Sequence, residues 1–345
     1  MGLLRRVARA RLAGQVIRRL RRAGHTGVKY DARGFRVSFT MPGDETPTIV
    51  ELAPLLTSSK KGIDRFVAGL TTAPELPSSW DEVRPLLRPV LRGGTPGESL
   101  RRPVLPFLYE FVVVDHPDTM TYVGPEHPAG WGVSAEAVFA AARANLSGAV
   151  LQGVASEPVV VRFVDNGDAY WTSHLLLEHW LGRLAEQVGG VPVAFAPERG
   201  TLLVTADSPL LPALFAQAEE IYAASSRPIS TMAYTSDDQG CTVPYTTTKH
   251  HRLVERAERV LAVQEYSRQT GDHLAELRLA GSDEAGWRTQ AIWPRDEPAL
   301  LPTADEVCLG DEMRPWAEIL PHLVEAPGYE PPRWTARNWP ISGGG

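Results

Sequence analysis

The stretch VPVAFAPERGTLLVTA, residues 191–206, decides the fold class of this chain. Two apolar runs, each as long as a typical strand, flank the tetrapeptide Pro197-Glu198-Arg199-Gly200. Proline and glycine between two such runs are typical of a turn, and Gly200 can adopt the positive φ of a type I turn with a bulge. The stretch therefore predicts an antiparallel hairpin. We interpret Glu198 and Arg199 as solvated turn residues, with substrate binding as the alternative.

The segments on either side of this hairpin predict further hairpins and helices. Residues 28–40 and 107–123 have the pattern of hairpins, the first around Gly34 and the second around Asp115-His116-Pro117-Asp118. Helical spacing or short β-branched runs mark the other elements: helices at 10–23, 50–70, 135–146, 171–187, 208–221, 248–259 and 313–324, and strands at 159–164, 228–234, 260–268, 273–280 and 287–294. The order lacks strict βαβ alternation. It predicts an α+β fold with antiparallel hairpins and interspersed helices, plus a smaller α+β C-terminal part.

The composition is that of a globular protein. Of 345 residues, 43% are hydrophobic and 22% charged. We expect neither a transmembrane helix, which needs about 18 apolar residues, nor a secretory signal, because no apolar run follows the basic N-terminus. Cys241 and Cys308 are too few for a disulfide framework, and the sequence leaves open whether they meet. These features predict a cytoplasmic protein. The scarcity of lysine beside arginine is typical of a GC-rich bacterial genome.

Positive charge is concentrated at the N-terminus. Residues 1–30 contain eight arginines, one lysine and no acidic residue, a charge of +9, so the remaining chain carries −15. Apolar spacing predicts a packed amphipathic helix at 10–23 after a loosely held extension at 1–9. We favour a solvated arginine face. The alternative is attraction to a nucleic acid or an anionic membrane surface, with these candidate residues: Arg5, Arg6, Arg9, Arg18 and Arg22.

Four segments resemble the YtpQ-like family of bacterial proteins, which has a domain of unknown function: GWGVSAEAVFAAARANL (130–146), NGDAYWTSHLLLEHWLGRL (166–184), VPVAFAPERGTLLVTAD (191–207) and RPISTMAYT (227–235). The resemblance covers about residues 10–245. It concerns the pattern and the order of the segments, and no single motif is specific to the family. It implies an intracellular α+β protein without an established activity, and it draws attention to Asn145, Ser173 and Pro197. Family members tend to carry arginine where this chain has His174, and aspartate near Gly200. These departures weaken an enzymatic interpretation.

Beyond this region, residues 246–340 form a predicted Trp-rich C-terminal extension, and residues 341–345 a flexible tail. We favour packing as the role of its tryptophans, because large aromatic side chains are mostly buried. Ligand or partner binding, at Trp287 and Trp293 above all, is the alternative. The five tryptophans of this extension are Trp287, Trp293, Trp316, Trp334 and Trp339.

The chain carries few signs of catalytic chemistry. Glycine-rich phosphate and dinucleotide motifs, a nucleophile elbow, paired cysteines and the His-Glu-x-x-His metal motif are absent from the sequence. On a continuous helix, His174 and His179 would lie about 140° apart, so a single metal ion would not bridge them. We therefore expect no metal and no cofactor. Whether the protein is an enzyme stays open, although the absence of these motifs argues against it.

Two classes of function follow. The favoured one is a non-catalytic binding or accessory protein, for which a protein partner is one candidate. The alternative is a hydrolase-like enzyme with a site near Ser173, Glu198 and Arg199. That site would require a histidine and an acid within hydrogen-bond reach of Ser173 in a concave pocket. The simpler interpretation of Ser173 is that it starts the helix that follows.

Overall fold

The computed structural model of the protein describes residues 3–336 apart from 33–34, 41–47, 53–54, 57–59, 72–75, 94–98, 117–119, 147, 149–150, 165–169, 226 and 294–297. Some predicted features lie outside the described residues. They are the turn at Gly34, the Pro117-Asp118 half of the second hairpin turn, Trp339 and the tail at 341–345.

The fold is α+β. Its α-helices are α1 (Leu3–Arg22), α2 (Lys60–Thr71), α3 (Trp80–Val83), α4 (His127–Gly130), α5 (Ala135–Asn145), α6 (Ala185–Val188), α7 (Leu211–Ala224), α8 (His251–Ser267) and α9 (Trp316–Ile319). Short 3-10 helices span Arg84–Leu86, Trp171–Leu176, Gly182–Leu184 and Leu320–His322. Among the described residues, no helix combines the length and the apolar character that crossing a bilayer requires.

The strands are β1 (Thr26–Asp31), β2 (Arg36–Thr40), β3 (Thr48–Glu51), β4 (Leu87–Arg92), β5 (Arg101–Leu105), β6 (Leu108–Asp115), β7 (Met120–Tyr122), β8 (Val160–Val164), β9 (Pro192–Glu198), β10 (Thr201–Ala206), β11 (Ala233–Ser236), β12 (Thr242–Pro244), β13 (Glu276–Ser282), β14 (Gly286–Trp293), β15 (Leu301–Pro302), β16 (Glu306–Leu309), β17 (Glu312–Pro315), β18 (Leu323–Ala326) and β19 (Arg333–Ala336).

The chain divides into two compact units. Unit 1 comprises residues 1–87 and 113–134, and unit 2 comprises residues 88–112 and 135–345. The division passes through β4 and β6, whereas the boundary predicted from the resemblance lay at residue 245. Residues 246–340 belong to the same unit as the hairpin at residues 191–206.

In unit 1, α1 packs on the sheet β1-β2-β3. The predicted apolar stripe of α1 is confirmed, because Leu12, Ala13, Val16 and Leu20 are buried with residues of the sheet and of α2. The helix begins at Leu3, earlier than the predicted start at residue 10, so most of the segment predicted as an extension is helical. One helix continues through both segments because leucine, alanine and arginine, which favour helices, dominate residues 3–22 and no proline interrupts them.

The prediction of one helix over residues 50–70 was also wrong. Residues Thr48–Glu51 form β3, whose Val50 pairs with Val37 of β2, and α2 begins only at Lys60. Leu52 and Leu55 are buried, as the helical spacing required, but they enter the core from the end of a strand and the turn after it. Pairing with an exposed sheet edge outweighed a local helical pattern.

Unit 2 is built around the sheet β12-β11-β9-β10-β8, and the predicted hairpin β9–β10 lies at its centre. Val193 and Phe195 face α7 on one side of the sheet, while Ala194 and Ala196 face a second core on the other side. Both faces of the hairpin are therefore covered. This explains why the sequences of its two strands are continuous apolar runs and do not alternate between apolar and polar residues.

The turn of this hairpin is tighter than predicted. Thr201 pairs with Glu198, and the register then shifts before Leu203 pairs with Phe195, which confirms a bulge. Gly200 lacks the positive φ that we expected. The Thr201 hydroxyl donates to the Glu198 carboxylate at 2.8 Å and the Arg199 amide donates to the Arg227 carbonyl at 3.1 Å, so neighbouring groups fix the turn.

The predicted helix over residues 171–187 is broken into 3-10 turns and the short helix α6. The break is at His179, whose φ is +61° and whose amide donates to the Gly240 carbonyl at 2.7 Å. A tertiary hydrogen bond here replaces one that a continuous helix would make. Trp180, Leu181 and Leu184 are nevertheless buried as predicted.

Residues 246–336 add α8 and two small sheets, β13-β14-β16-β17 and β15-β19-β18. The predicted strands at 273–280 and 287–294 are confirmed as β13 and β14. Residues 260–268 were predicted as a strand and instead continue α8, because Ala257, Leu261 and Glu265 recur every fourth residue on one buried face. Two further corrections concern residues 228–234, where β11 begins only at Ala233, and residues 313–324, which also contain strand residues of β17 and β18.

Candidate functional site

A cavity of about 480 Å³ in unit 2 combines a concave shape with defined chemistry. Ligand sites commonly have volumes of about 300–1,000 Å³. The cavity lies among α7, α8 and the turn that joins β13 to β14, and its lining residues are Pro212, Phe215, Ala216, Glu219, Glu220, Ala223, Thr231, Leu253, Arg256, Ala257, Asp283 and Trp287.

The floor of the cavity is apolar because two amphipathic helices meet there. Phe215 of α7 and Ala257 of α8 are both buried, and the Phe215 ring packs edge-on against Phe195 of β9 at 5.0 Å. Buried Thr231 donates its hydroxyl to the Ala257 carbonyl at 2.5 Å, which ties the chain before β11 to α8. The floor is thus held by the central sheet and by both helices.

One wall of the cavity is the indole ring of Trp287, at the start of β14. Gly281 and Gly286 have φ values of +107° and +89°, a conformation that glycine adopts without strain, and they let the chain turn between β13 and β14. The indole nitrogen donates to the Asp283 carboxylate across this turn at 2.8 Å. Because its edge is hydrogen-bonded, the half-buried ring keeps a defined orientation.

A chain of charged contacts supports the same wall. The Arg256 guanidinium lies 4.4 Å from the centroid of the Trp287 ring, within cation–π range. Its Nε and Nη2 donate to the two Glu219 oxygens at 3.0 and 2.6 Å, the paired geometry that arginine and carboxylate favour. Helices α7 and α8 are therefore linked through Arg256 to the wall of the cavity.

The charge around the cavity is net negative. Glu219 and Arg256 neutralise each other, and Asp283 and Glu220 then contribute two further carboxylates. Glu220 is exposed, and no contact is recorded for its carboxylate within the part of the chain that the structure describes. A positively charged group entering the cavity would gain from both carboxylates.

The predicted tryptophans separate into two groups. Trp287 lines the cavity, whereas Trp293 is 1% exposed and lies in the C-terminal core with Leu277 and Ala291. Trp316 and Trp334 pack edge-to-face at 6.3 Å beside that core. The packing interpretation holds for these three, and binding at Trp287 stays a hypothesis.

The contacts of Ser173 do not resemble those of a nucleophile. Its side chain is fully buried, and its hydroxyl accepts a hydrogen bond from the Leu91 amide at 3.1 Å. His174 follows it in the chain and is also buried, with its ring between those of Trp171 and Trp180 at 5.0 and 4.9 Å. Ser173 therefore ties the 3-10 turn to β4, and His174 packs among the aromatic rings of its own segment.

Glu198 and Arg199 lie at the β9–β10 turn, as expected. The Glu198 carboxylate accepts hydrogen bonds from the hydroxyls of Thr201 and Ser225 at 2.8 and 3.0 Å. These bonds brace the turn against the chain that follows α7. The recorded contacts of Ser173 and Glu198 therefore support the packing of unit 2 and lend no support to a hydrolase-like site.

The N-terminal arginines have different environments. Arg9 lies over the Phe35 ring at 4.1 Å, while Arg18 and Arg22 are exposed along α1. The side chains of Arg5 and Arg6 lie outside the described part of the molecule. Of the candidates whose side chains the structure describes, Arg18 and Arg22 are thus placed where a ligand would reach them.

Metal ligands and thiols contribute little to the site. Among the residues described, no group of three or more histidine, cysteine or acidic side chains is arranged to hold a metal ion. Cys241 and Cys308 are both free thiols, the first exposed and the second half-buried.

Arg256, Glu219 and Asp283 line the cavity but were not predicted as site residues from the sequence. Asp283 precedes Trp287 by four residues across a predicted turn, which is a local pattern that could have been noticed. Arg256 and Glu219 are 37 residues apart in the chain and lie on different helices. No pattern in the sequence indicates that they pair.

Searches against protein-family models, curated proteins and solved structures found no match for this chain. The resemblance to the YtpQ-like family therefore stays a prediction. The geometry and charge of the unit 2 cavity are therefore the observations from which we infer a function.

Proposed function

We propose that the protein is a non-catalytic binding protein whose unit 2 cavity takes an organic cation, meaning an apolar body that carries an ammonium or guanidinium group. One observation carries the proposal: an apolar floor faces the fixed Trp287 ring beneath two carboxylates, Glu220 and Asp283, that Arg256 does not neutralise. The apolar body would displace water from Phe215 and Leu253, and the cation would lie near the acidic rim.

The arrangement supports binding more than catalysis. Glu219, Arg256 and Asp283 are engaged with one another or with Trp287, so their hydrogen-bonding groups hold the site in shape. Fixed aromatic and arginine side chains at the centre of a cavity are typical of binding hot spots. A lysine or arginine side chain displayed by a protein partner would satisfy the same chemistry.

Calorimetric titration of the full chain with phenethylamine, which is a cation at neutral pH, tests the proposal. Phenethyl alcohol and phenylacetate supply the same ring without charge and with negative charge. We expect saturable binding of the amine, about tenfold weaker binding of the alcohol and none of the acid, because two carboxylates favour only the cation.

Substitutions locate the binding. Trp287→Ala should abolish it, and Glu220→Gln should weaken it by up to about fivefold, since an exposed carboxylate contributes at most about 1 kcal/mol to an ion pair. Glu284→Gln is the control: it removes one carboxylate from the turn that carries Asp283, at a position that does not line the cavity, and binding should stay within about twofold of the wild type. Equal binding of all three probes, or unchanged binding by Trp287→Ala, would refute the proposal.

We also propose that the protein is cytoplasmic and belongs to the YtpQ-like family. Two free thiols support the first proposal, because reduced cysteines are the norm in that compartment. The order of segments along residues 10–245 supports the second. Fractionation of the native host tests the location, and an alignment that spans α5 to β11 tests the family.

A further inference from the structure

A groove of about 850 Å³ lies in unit 1 along α1, between this helix and residues at the start of α2. Leu12 and Ile63 form part of its apolar floor and are almost fully buried. Arginines dominate its polar lining, and Asp64 is the acidic side chain on it. The groove is therefore both concave and strongly positive.

The arginines of this groove follow the period of the helix. Arg11, Gln15, Arg18 and Arg22 are separated by four, three and four residues, so they share one face of α1. At 1.5 Å rise per residue, this polar row is about 16 Å long. The row lies opposite the buried stripe that contains Val16 and Leu20, which keeps it available to solvent.

Contacts divide the arginines of α1 into two sets. Arg19 forms an ion pair with Asp64, and Arg9 lies over the Phe35 ring, so both serve the packing of unit 1. Arg11, Arg18 and Arg22 are exposed, and within the described residues none of them has a recorded ion pair, hydrogen bond or ring contact. The helix dipole stabilises the positive charge of Arg22 at the C-terminal end of α1. Arg11 lies in the middle of the helix, where the dipole does not stabilise a positive charge.

Three unneutralised guanidinium groups in one groove repel one another, and a ligand with several negative charges would relieve that repulsion. Guanidinium matches phosphate geometry with paired hydrogen bonds, so each arginine would engage one phosphate group. The lining contains no aromatic side chain among the described residues, so it offers no stacking platform for bases. Its concave form suits a molecule better than a flat membrane surface.

We propose that the arginine row formed by Arg11, Gln15, Arg18 and Arg22 binds a soluble oligophosphate. The phosphate chain would lie along α1, with the guanidinium groups on its oxygens and the Gln15 amide donating between them. This inference is independent of the cation cavity, which lies in unit 2 and has the opposite charge.

The experiment titrates the full chain with inorganic tripolyphosphate by calorimetry in low-salt buffer. Arg18→Ala removes the central cation of the row and should weaken binding about tenfold, and Arg11→Ala with Arg18→Ala should abolish it. Arg21→Ala is the matched control: it removes one arginine from the same helix turn outside the groove, and binding should change by less than about threefold. Thermal unfolding confirms that each variant is folded.

Two further arms identify the source of the phosphate. The same proteins are titrated with a single-stranded DNA oligonucleotide and with phosphatidylglycerol vesicles. Tripolyphosphate binding that depends on Arg18 more than on Arg21 supports the proposal. Three results overturn it: no binding of tripolyphosphate, equal losses for Arg18→Ala and Arg21→Ala, or Arg18-dependent binding of the DNA or the vesicles alone.

Discussion

Glu110 is a carboxylate without exposed surface, and two arginines neutralise it. One of its oxygens accepts from Arg102 and Arg143, and the other accepts from Arg143 again, each at 2.7 Å. Burial lowers the pKa of Arg143, but the hydrogen bond and the charge of Glu110 outweigh burial and raise that pKa. The three side chains act as one unit that fastens α5 to β5 and β6.

Glu110→Gln tests the strength of this unit. The substitution leaves two arginines without their shared counter-charge, so we expect a loss of about 3 kcal/mol in the free energy of unfolding. Glu136→Gln is the control, because Glu136 also pairs with Arg102 but is largely exposed and should contribute less than about 1 kcal/mol. Urea unfolding measures both, and equal losses would contradict the assignment.

Tyr222 predicts how stability depends on alkaline pH. Burial raises the pKa of its hydroxyl to about 12; the Glu265 carboxylate adds to this rise, and Arg268, which donates to the hydroxyl, opposes it. The unfolded chain releases this proton near pH 10, so the folded state holds more protons above that pH. Stability is therefore full below about pH 10 and falls as the pH rises towards about 12.

The measurement is urea unfolding of the wild type and Tyr222→Phe at about pH 9 and about pH 11. The wild type should lose about 1–2 kcal/mol more than the variant over this interval, because the variant has no proton to release at this site. Parallel losses in the two proteins would show that Tyr222 does not cause the dependence. Tyr109 and Tyr234 are also buried and their pKa values are also raised, so the stability of both proteins should still decrease with rising pH.

At the scale of elements, the sequence-based prediction of α8 failed in its second half. Val260, Val263 and Tyr266 favour a strand when residues 260–268 are considered alone, although most of the other residues in this segment are helix formers. The buried face formed by Ala257, Leu261 and Glu265 instead gives the helix its anchor. Packing of that face against the core outweighed local propensity.

Gln264→Gly distinguishes the two states of this segment. Gln264 is exposed in the interior of α8, so glycine there should cost about 1 kcal/mol while Gln264→Ala should be neutral or slightly stabilising. If the segment were a strand, alanine would also be unfavourable, and the stabilities of the two variants would differ less. Thermal unfolding of both variants gives the comparison, and similar losses would argue against the helix.

The segment at residues 171–188 shows the converse error. Trp180, Leu181 and Leu184 were predicted correctly as buried, whereas Leu177, also predicted to be buried, is half-buried; the helical spacing of these residues did not specify one helix. The bond from the His179 amide to Gly240 joins residues far apart in the chain and breaks the helix at that point. Periodicity predicts which side chains enter the core more reliably than it predicts the backbone between them.

At the scale of the molecule, opposite charges mark the two candidate ligand sites. The arginine row of unit 1 belongs to the first 30 residues, where the charge of +9 was evident from the sequence. The acidic rim of unit 2 draws Glu220 and Asp283 from distant elements, and only folding brings them together. Local charge was therefore predictable, whereas the second site depends on tertiary contacts.

The sequence by itself determined the α+β class, the central hairpin at residues 191–206 and most of the residues that are buried, because these depend on hydrophobic patterning and turn chemistry over short stretches. Only the tertiary structure decided that residues 50–51 belong to a strand, that α8 continues to Ser267, and which charged side chains pair with one another. Those outcomes depend on pairing and burial between segments far apart in the chain. Arg256 is the clearest case, because its partners Glu219 and Trp287 are 37 and 31 residues away.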